Sequence, residues 1–353
     1  MYPIILGISG LALTSEERDL FRAFPPFGFI LFRRNIDTPE QVKALTTELR
    51  ELTGRADTPI LIDQEGGRVQ RLRPPHWPDL PAMDIYGQLF KKNSLLGMQA
   101  IKLHAQTIAG KLAELGFDVV CAPVVDVPTD GAHDVIGERA FSRDVNQVVP
   151  LAGEMAKAFL ASGISPVVKH IPGHGRADTD SHFDCPVVKT DRETLDKTDF
   201  KAFRQVAQNV GAGSLWAMTA HVVFTALDDQ PVSVSKTAID ILRNDLGITG
   251  PIIPDAVEMD ALGGTIAERA LATIHAGCDA TLHCSGKYDD MKAILSVLPK
   301  ISAEAIARFD IAAQARSKTP AINWRQTYQE LGQLVELKPF EITGDAHEAL
   351  TIA

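Results

Sequence analysis

The chain has 353 residues, 45% of them hydrophobic and 23% charged, with a formal net charge of -10 at pH 7. That composition suits a globular protein with a large core, and the negative balance argues against nucleic acid or an anionic membrane as partner, since both recruit clustered Lys and Arg. No apolar run approaches the ~20 residues that a membrane-spanning helix needs, and the opening MYPIILGISG lacks the basic segment and the longer apolar run of a signal peptide. The expected location is the cytoplasm. Cys121, Cys185, Cys278 and Cys284 show no metal-ligand spacing and are read as free thiols.

Short apolar runs alternate with helical-period segments along the chain. The strand candidates are Ile4–Ile8, Gly28–Phe32, Pro59–Ile62, Val119–Pro123, Ile164–Val168, Ser214–Thr219, Pro251–Pro254 and Asp279–His283. Between them lie helical stretches at Glu40–Leu52, Met98–Leu115, Val148–Ala161, Thr194–Asn209, Ser235–Leu246 and Ile266–Ala276. This alternation predicts a parallel sheet covered by helices, and eight strands favour closure into a single (β/α)8 TIM-type barrel over an open sheet. With no linker, repeat or low-complexity tract, residues 1–353 are taken as one catalytic domain. From about residue 320 a C-terminal helix (Trp324–Glu336) and a mobile tail are expected. No GxGxxG follows the first strand and no GxxxxGK[ST] occurs, which weakens dinucleotide and P-loop readings.

In a barrel of this kind the reactive residues sit just past the strand C-termini. Reading past the candidates gives Arg34-Asn35, Asp63 with Glu65 and Arg68, Asp126, Lys169-His170, His221, Asp255 and Cys284. Seven of eight strands ending on polar or reactive groups predict one binding rim. The richest segment is KHIPGHGRADTDSH, residues 169–182. Burying so many titratable groups without partners costs kilocalories each, so an active-site loop explains them better than packing.

Each of these residues also has a plainer reading. Asp255, directly after Pro251-Ile-Ile-Pro, is either a helix N-cap or a catalytic carboxylate. Asp180 and His182 alternate, so the carboxylate could hold the imidazole as an acid/base pair, or both could sit in a solvated Asx-turn. Lys169 offers a ligand donor or a structural ion pair. Asp63, in IDQEGGRVQRL, suits a polyhydroxylated ligand with arginines nearby, or an Arg–Asp pair bracing the loop. His174 is read evenly as ligand or packing group, and His221 as a satisfied rim histidine.

Together these segments resemble glycoside hydrolase family 3, specifically its bacterial β-N-acetylglucosaminidases. The matching pieces are IDQEGGRVQRL (62–72), APVVDV (122–127), IGERAFSRD (136–144), KHIPGHG with DSH (169–182), MTAHV (218–222), PDAVEM (254–259) and AGCDATLHC (276–284), in family order. The resemblance implies a TIM-like barrel and retaining hydrolysis of terminal β-linked N-acetylglucosamine from muropeptide fragments in cell-wall recycling. It assigns Asp255 as nucleophile, Asp180 and His182 as the acid/base dyad, and Asp63, Arg71, Arg139, Lys169 and His170 as sugar-binding positions. No cofactor and no metal are expected, and the partner is a small carbohydrate met by a monomer. The chain departs from the pattern at Pro254, where Ser or Thr is common, and at Ala256-Val-Glu258, where many relatives carry Asp-Leu-Ser. Arg176-Ala177-Asp178 matches no family pattern.

Three rivals remain at this level. A metallohydrolase barrel would use His170, His174, His182, His221 and Asp255 as zinc ligands, although no HxH or HExxH pattern is present. A phosphorylase would replace water with phosphate. A sugar-binding barrel without catalysis would have no need of a nucleophile.

Overall fold

In a computed structural model, which describes residues 1–179, 181, 184–317, 322–338 and 340, eight parallel strands form the ring foreseen from the alternation. They are β1 (Tyr2–Leu6), β2 (Pro26–Leu31), β3 (Ile60–Ile62), β4 (Val119–Val120), β5 (Ser165–Ile171), β6 (Trp216–Thr219), β7 (Ile252–Pro254) and β8 (Thr281–His283). Each lies within or beside its expected range. Consecutive strands pair in parallel from β1 through β7, and β8 pairs with β1, as in Ile4 with Thr281. The seam between β7 and β8 is bridged by Asp279 N–H to the Ile252 carbonyl (2.7 Å) and Val257 N–H to the Leu282 carbonyl (3.0 Å). The Asp279 carboxylate reinforces it, accepting from Ile252 N–H, Arg243 and Arg308.

The strand sequences explain both layers of the core. Successive side chains point to opposite faces. Ile5, Ile30, Leu61, Val119, Val167, Met218, Ile253 and Leu282 fill the barrel interior. Their neighbours Ile4, Leu31, Ile62, Val120, Val168, Ala217 and Ile252 face the helices. A strand buried on both faces must be apolar throughout, which is why these segments read as continuous runs rather than alternating ones.

The helices are α1 (Ser15–Ala23), α2 (Pro39–Thr53), α3 (Met83–Lys92), α4 (Ser94–Glu114), α5 (Val145–Ala161), α6 (Arg192–Lys197), α7 (Asp199–Val210), α8 (Lys236–Asn244), α9 (Ile266–Ala276), α10 (Tyr288–Val297), α11 (Ala303–Gln314) and α12 (Trp324–Leu331). Their ends follow local chemistry. Thr38 caps α2 ahead of Pro39, and Gly54 ends it in the left-handed region at φ 66°. Thr265 and Glu268 form a capping box on α9. The stretch Thr194–Asn209 is two helices rather than one, because Thr198 leaves helical geometry (φ -126°, ψ -93°). The C-terminal helix stops at Leu331 instead of Glu336. The tail beyond residue 340 lies outside the described residues. Among the described residues no helix is long and apolar enough to cross a membrane.

Helix α11, absent from the sequence expectations, closes the bottom of the barrel. Its Phe309 stacks on Phe27 of β2 (ring centroids 4.0 Å) and meets Trp216 of β6 edge-on (4.7 Å), joining the interior cluster. Truncating this plug leaves a cavity at the mouth opposite the polar rim. Phe309→Ala is therefore expected to lower the unfolding free energy by about 3–5 kcal/mol in denaturant titration, while ligand affinity at the far rim stays within about twofold.

Candidate active site

The polar strand ends meet at one rim around a cavity of about 360 Å³, whose lining includes Asp63, Arg71, Arg139, Lys169, His170, Asp255, Glu258 and Cys284. All six sequence-assigned site residues that lie among the described ones, Asp63, Arg71, Arg139, Lys169, His170 and Asp255, are thus brought together. Asp180 and His182 lie outside the described residues.

Lys169 organises one wall. Strand β5 runs on to Ile171, so Lys169 and His170 belong to the strand itself rather than to the loop after it. The Lys169 ammonium, 3% exposed, lies 3.1 Å from Asp63 Oδ1 and 2.7 Å from Glu65 Oε1. Arg71 Nη2 donates to the other Asp63 oxygen at 2.9 Å. Arg139 grips Glu65 with two bonds, Nε to Oε2 at 2.9 Å and Nη2 to Oε1 at 2.8 Å. Burial by itself would push both carboxyls up. At Asp63 the charges of Lys169 and Arg71 reverse that, and at Glu65 those of Arg139 and Lys169 do, so both are held well below the usual carboxylate range. Three cationic and two carboxylate side chains are thereby held in mutual contact, and Asp63, Arg71, Arg139 and Lys169 of this cluster line the cavity, a polar set suited to vicinal hydroxyls.

Asp126, after β4, holds the adjacent wall. Its carboxylate is 0% exposed and accepts the N–H of His170 and of His174 (2.7 Å), while His170 Nδ1 lies 2.7 Å from Oδ2. Burial works against ionisation here too, but the neighbouring histidines and N–H groups bring the Asp126 carboxyl below its ordinary value. An ionised carboxylate only accepts, so His170 carries its proton on Nδ1 and its Nε2, 3.4 Å from Arg139 Nη2, remains at the cavity wall. His174 Nε2 is 2.9 Å from Ser181 Oγ, and burial lowers this imidazole to about 4, so it is a neutral packing group that ties the two arms of its loop together.

Asp255 follows β7 directly. Pro254 does not displace the strand end: it pairs with Thr219, and Asp255 N–H donates to the Thr219 carbonyl at 3.0 Å. Desolvation opposes ionisation of Asp255, but His170, His221 and the Ala256 N–H outweigh it and lower its carboxyl below the ordinary value. His221 sits beneath this turn. Its Nε2 is 3.0 Å from the Ala256 carbonyl, which can only accept, so Nε2 is protonated and Nδ1 accepts from Ser233 Oγ (2.5 Å). It is a rim histidine with its partners satisfied. No helix begins at Asp255, which removes the N-cap alternative.

Several contributors were not among the assigned residues. Glu65 and Asp126 were visible as polar strand-end residues, but nothing in the sequence said which cation each would face. His104, in α4, donates from Nε2 to the Glu65 carbonyl (2.7 Å) and accepts from Tyr86 (2.7 Å), steadying the end of β3 from behind; an apolar helix face gives no hint of this. Glu258 accepts the Cys284 N–H at 2.8 Å, fastening the turn after Asp255 to β8, and burial raises its carboxyl. Arg34 and Arg68 serve loops rather than the cavity. Arg34 donates to the Ile8 and Cys284 carbonyls, and Arg68 to the Val135 carbonyl. Among the described residues no group of three His, Cys, Asp or Glu side chains is arranged to hold a metal ion.

Glu65→Gln would leave Lys169 and Arg139 buried with one countercharge fewer, at an expected cost of about 3–5 kcal/mol at pH 7. Asp63 and Glu65 have depressed folded pKa values. The stability they supply is therefore fully present above the unfolded values of about 4 and is lost as pH falls through the folded ones. Unfolding free energy measured from about pH 6 down to about pH 2 is expected to drop steeply in the parent protein and less steeply in Glu65→Gln.

Comparison with known proteins places the chain in a family. Residues 14–316 match the glycosyl hydrolase family 3 N-terminal domain. A protein named beta-hexosaminidase from Aromatoleum aromaticum is 33% identical over 330 residues, covering 92% of this chain and 87% of that protein. Another of that name from Tolumonas auensis is 36% identical over 293 residues, covering 81% and 84%. The crystal structure of native NagZ from Neisseria gonorrhoeae superposes with a TM-score of 0.82 at 31% identity, over 94% of this chain and 97% of that one. The same protein in complex with N-trifluoroacetyl-D-glucosamine gives 0.83 at 31% identity, over 95% and 98%. With the fold and most of the chain's length in agreement, the chain belongs to glycosyl hydrolase family 3.

Proposed function

We propose that this chain is a retaining exo-β-N-acetylhexosaminidase that removes terminal β-linked N-acetylglucosamine from muropeptide fragments such as N-acetylglucosamine joined to 1,6-anhydro-N-acetylmuramic acid, acting as a cytoplasmic monomer. The observation that carries the reading is the position of Asp255. It is an ionised carboxylate at the end of β7, with no ion-pair partner among the described residues, on the wall of the cavity that also holds Asp63, Arg71, Arg139, Lys169 and His170. Family membership and relatives named beta-hexosaminidase support the substrate class, as does the relative that binds a glucosamine derivative. The cavity's small volume suits one terminal sugar, hence exo action.

In this reading Asp255 attacks the anomeric carbon as the bond to the aglycone oxygen breaks, giving a covalent glycosyl-enzyme. His182, oriented by Asp180, delivers the proton to the departing oxygen. It then takes one from the water that releases the sugar, so the β configuration is retained. Their part rests on the DSH motif and the family resemblance. As the acid, a protonated imidazole becomes neutral on giving up its proton, where a carboxyl would become a second anion beside Asp255 and, by like-charge repulsion, weaken the nucleophile. Asp63, Lys169, Arg71, Arg139 and His170 take up the sugar hydroxyls. Their ion pairs are already formed, so ligand binding orders few side chains.

The test is hydrolysis of 4-nitrophenyl N-acetyl-β-D-glucosaminide with EDTA and phosphate varied in parallel. Turnover is expected to ignore both, and Asp255→Ala is expected to lose on the order of 10³-fold or more in kcat. Near-parental turnover in Asp255→Ala would end the reading. A phosphate requirement with release of a sugar 1-phosphate would replace hydrolysis by phosphorolysis.

A further inference from the structure

The segment Arg176-Ala177-Asp178, which matches no family pattern, is where the loop after β5 is fastened to the barrel. Arg176 is 16% exposed and the Asp199 side chain, in the first turn of α7, is 0% exposed. Arg176 Nε donates to Asp199 Oδ2 at 2.6 Å and Nη2 donates to Thr198 Oγ1 at 2.9 Å. Asp199 Oδ1 has no partner among the described residues. It lies against Gly173, where an added Cβ would come within 2.9 Å of it at φ +144°, so the loop backbone presses directly on the acceptor.

Other contacts hold the same arm on its other side. His174 N–H reaches Asp126, the Gly175 carbonyl accepts from Thr129 N–H, and the Ala177 carbonyl accepts from His133 N–H at 2.8 Å. Every one of these involves backbone of the loop. Among the described residues, Arg176 to Asp199 and Thr198 is a side-chain contact that ties it to the helix layer. It comes four residues before Asp180 and six before His182 in the sequence.

We propose that the Arg176–Asp199 pair, braced by Thr198, is a positioning latch that sets where the loop presents its proton donor to the departing aglycone oxygen. The inference rests on the acid/base assignment made above. Arg176 touches no reacting atom; it acts through the residues that follow it. In the step concerned, the bond from the anomeric carbon to the aglycone oxygen breaks, Asp255 bonds to that carbon, and the loop's donor gives its proton to the oxygen that leaves. A misplaced donor slows this step only when the leaving oxygen needs the proton. A merely structural role would lower all activities alike. Burial raises the Asp199 carboxyl even beside Arg176, so with the arginine gone it can take up a proton rather than remain a bare buried charge, and the fold is expected to survive.

The experiment compares kcat/KM, which reports the first bond-breaking step, on N,N′-diacetylchitobiose and on 2,4-dinitrophenyl N-acetyl-β-D-glucosaminide. The parent, Arg176→Met, Arg176→Lys, Asp199→Asn and His182→Ala are measured together, with thermal unfolding followed on the same samples. Arg176→Met and Asp199→Asn are expected to lose about 30- to 100-fold on the disaccharide and less than about threefold on the dinitrophenyl substrate. Arg176→Lys, which keeps the charge but not the two-pronged geometry, should fall between parent and Arg176→Met. Equal losses on both substrates, or no loss on the disaccharide, overturn the latch. If His182→Ala shows the selective loss and Arg176→Met does not, the latch fails and the acid/base assignment stands. If Arg176→Met shows it and His182→Ala does not, the latch stands and the donor is another group on that loop.

Discussion

The site depends on one buried ammonium. Lys169 stands on β5 with 3% exposure and satisfies its charge only by reaching Asp63 and Glu65, both carried past the end of β3. A lone ammonium in that position would be expelled or neutralised, since desolvation without partners costs several kcal/mol. The cluster is stable because it is closed: Asp63 is shared with Arg71, Glu65 with Arg139, and the Glu65 carbonyl is held from behind by His104. Removing Glu65 would leave the buried Lys169 and Arg139 with one countercharge fewer. The same cluster locks the ends of β3 and β5 to each other and to the segment that carries Arg139.

That closure prepares the chemistry opposite. Asp126 fixes the tautomer of His170 with the same carboxylate that receives the His174 N–H, so one buried anion shapes the wall and the start of the loop. Asp255 is held differently. Among the described residues it has no ion-pair partner, and its ionised form is favoured by nearby His170 and His221 and by a backbone N–H. Carboxylates locked into salt bridges make good binders and poor nucleophiles. The seam of the barrel runs beside Asp255, where Glu258 and Asp279 tie β7 to β8, so ring closure and the placement of Asp255 depend on the same contacts.

Much of the fold was legible because parallel strands buried on both faces are apolar at every position and stand out as runs. The eight strands and the (β/α)8 closure follow from that signal and from helical periodicity between the runs. Helix α11 was not legible. Its Phe309 and Ala312 serve the barrel interior, a role that no spacing within residues 303–314 announces. The break at Thr198 was hidden as well, because Thr194–Asn209 is helical in pattern on both sides of it. Of the site, Asp63, Lys169, His170 and Asp255 were readable as polar groups after strands, while Arg71 and Arg139 came through the family motifs.

By itself the sequence determined the order of strands and helices and which residue types end each strand, because periodicity and turn chemistry are local properties. Only the tertiary structure decided which of those ends face one another. It made Glu65 the partner of both Lys169 and Arg139, Asp126 the partner of His170, and His221 and Glu258 supports of the turn after Asp255. It also joined Arg176 to Asp199, residues 23 apart that no local pattern relates. The physical reason is that a charge's role is set by its countercharge and its burial. Both are fixed when the ring closes and brings together chain segments separated by tens of residues.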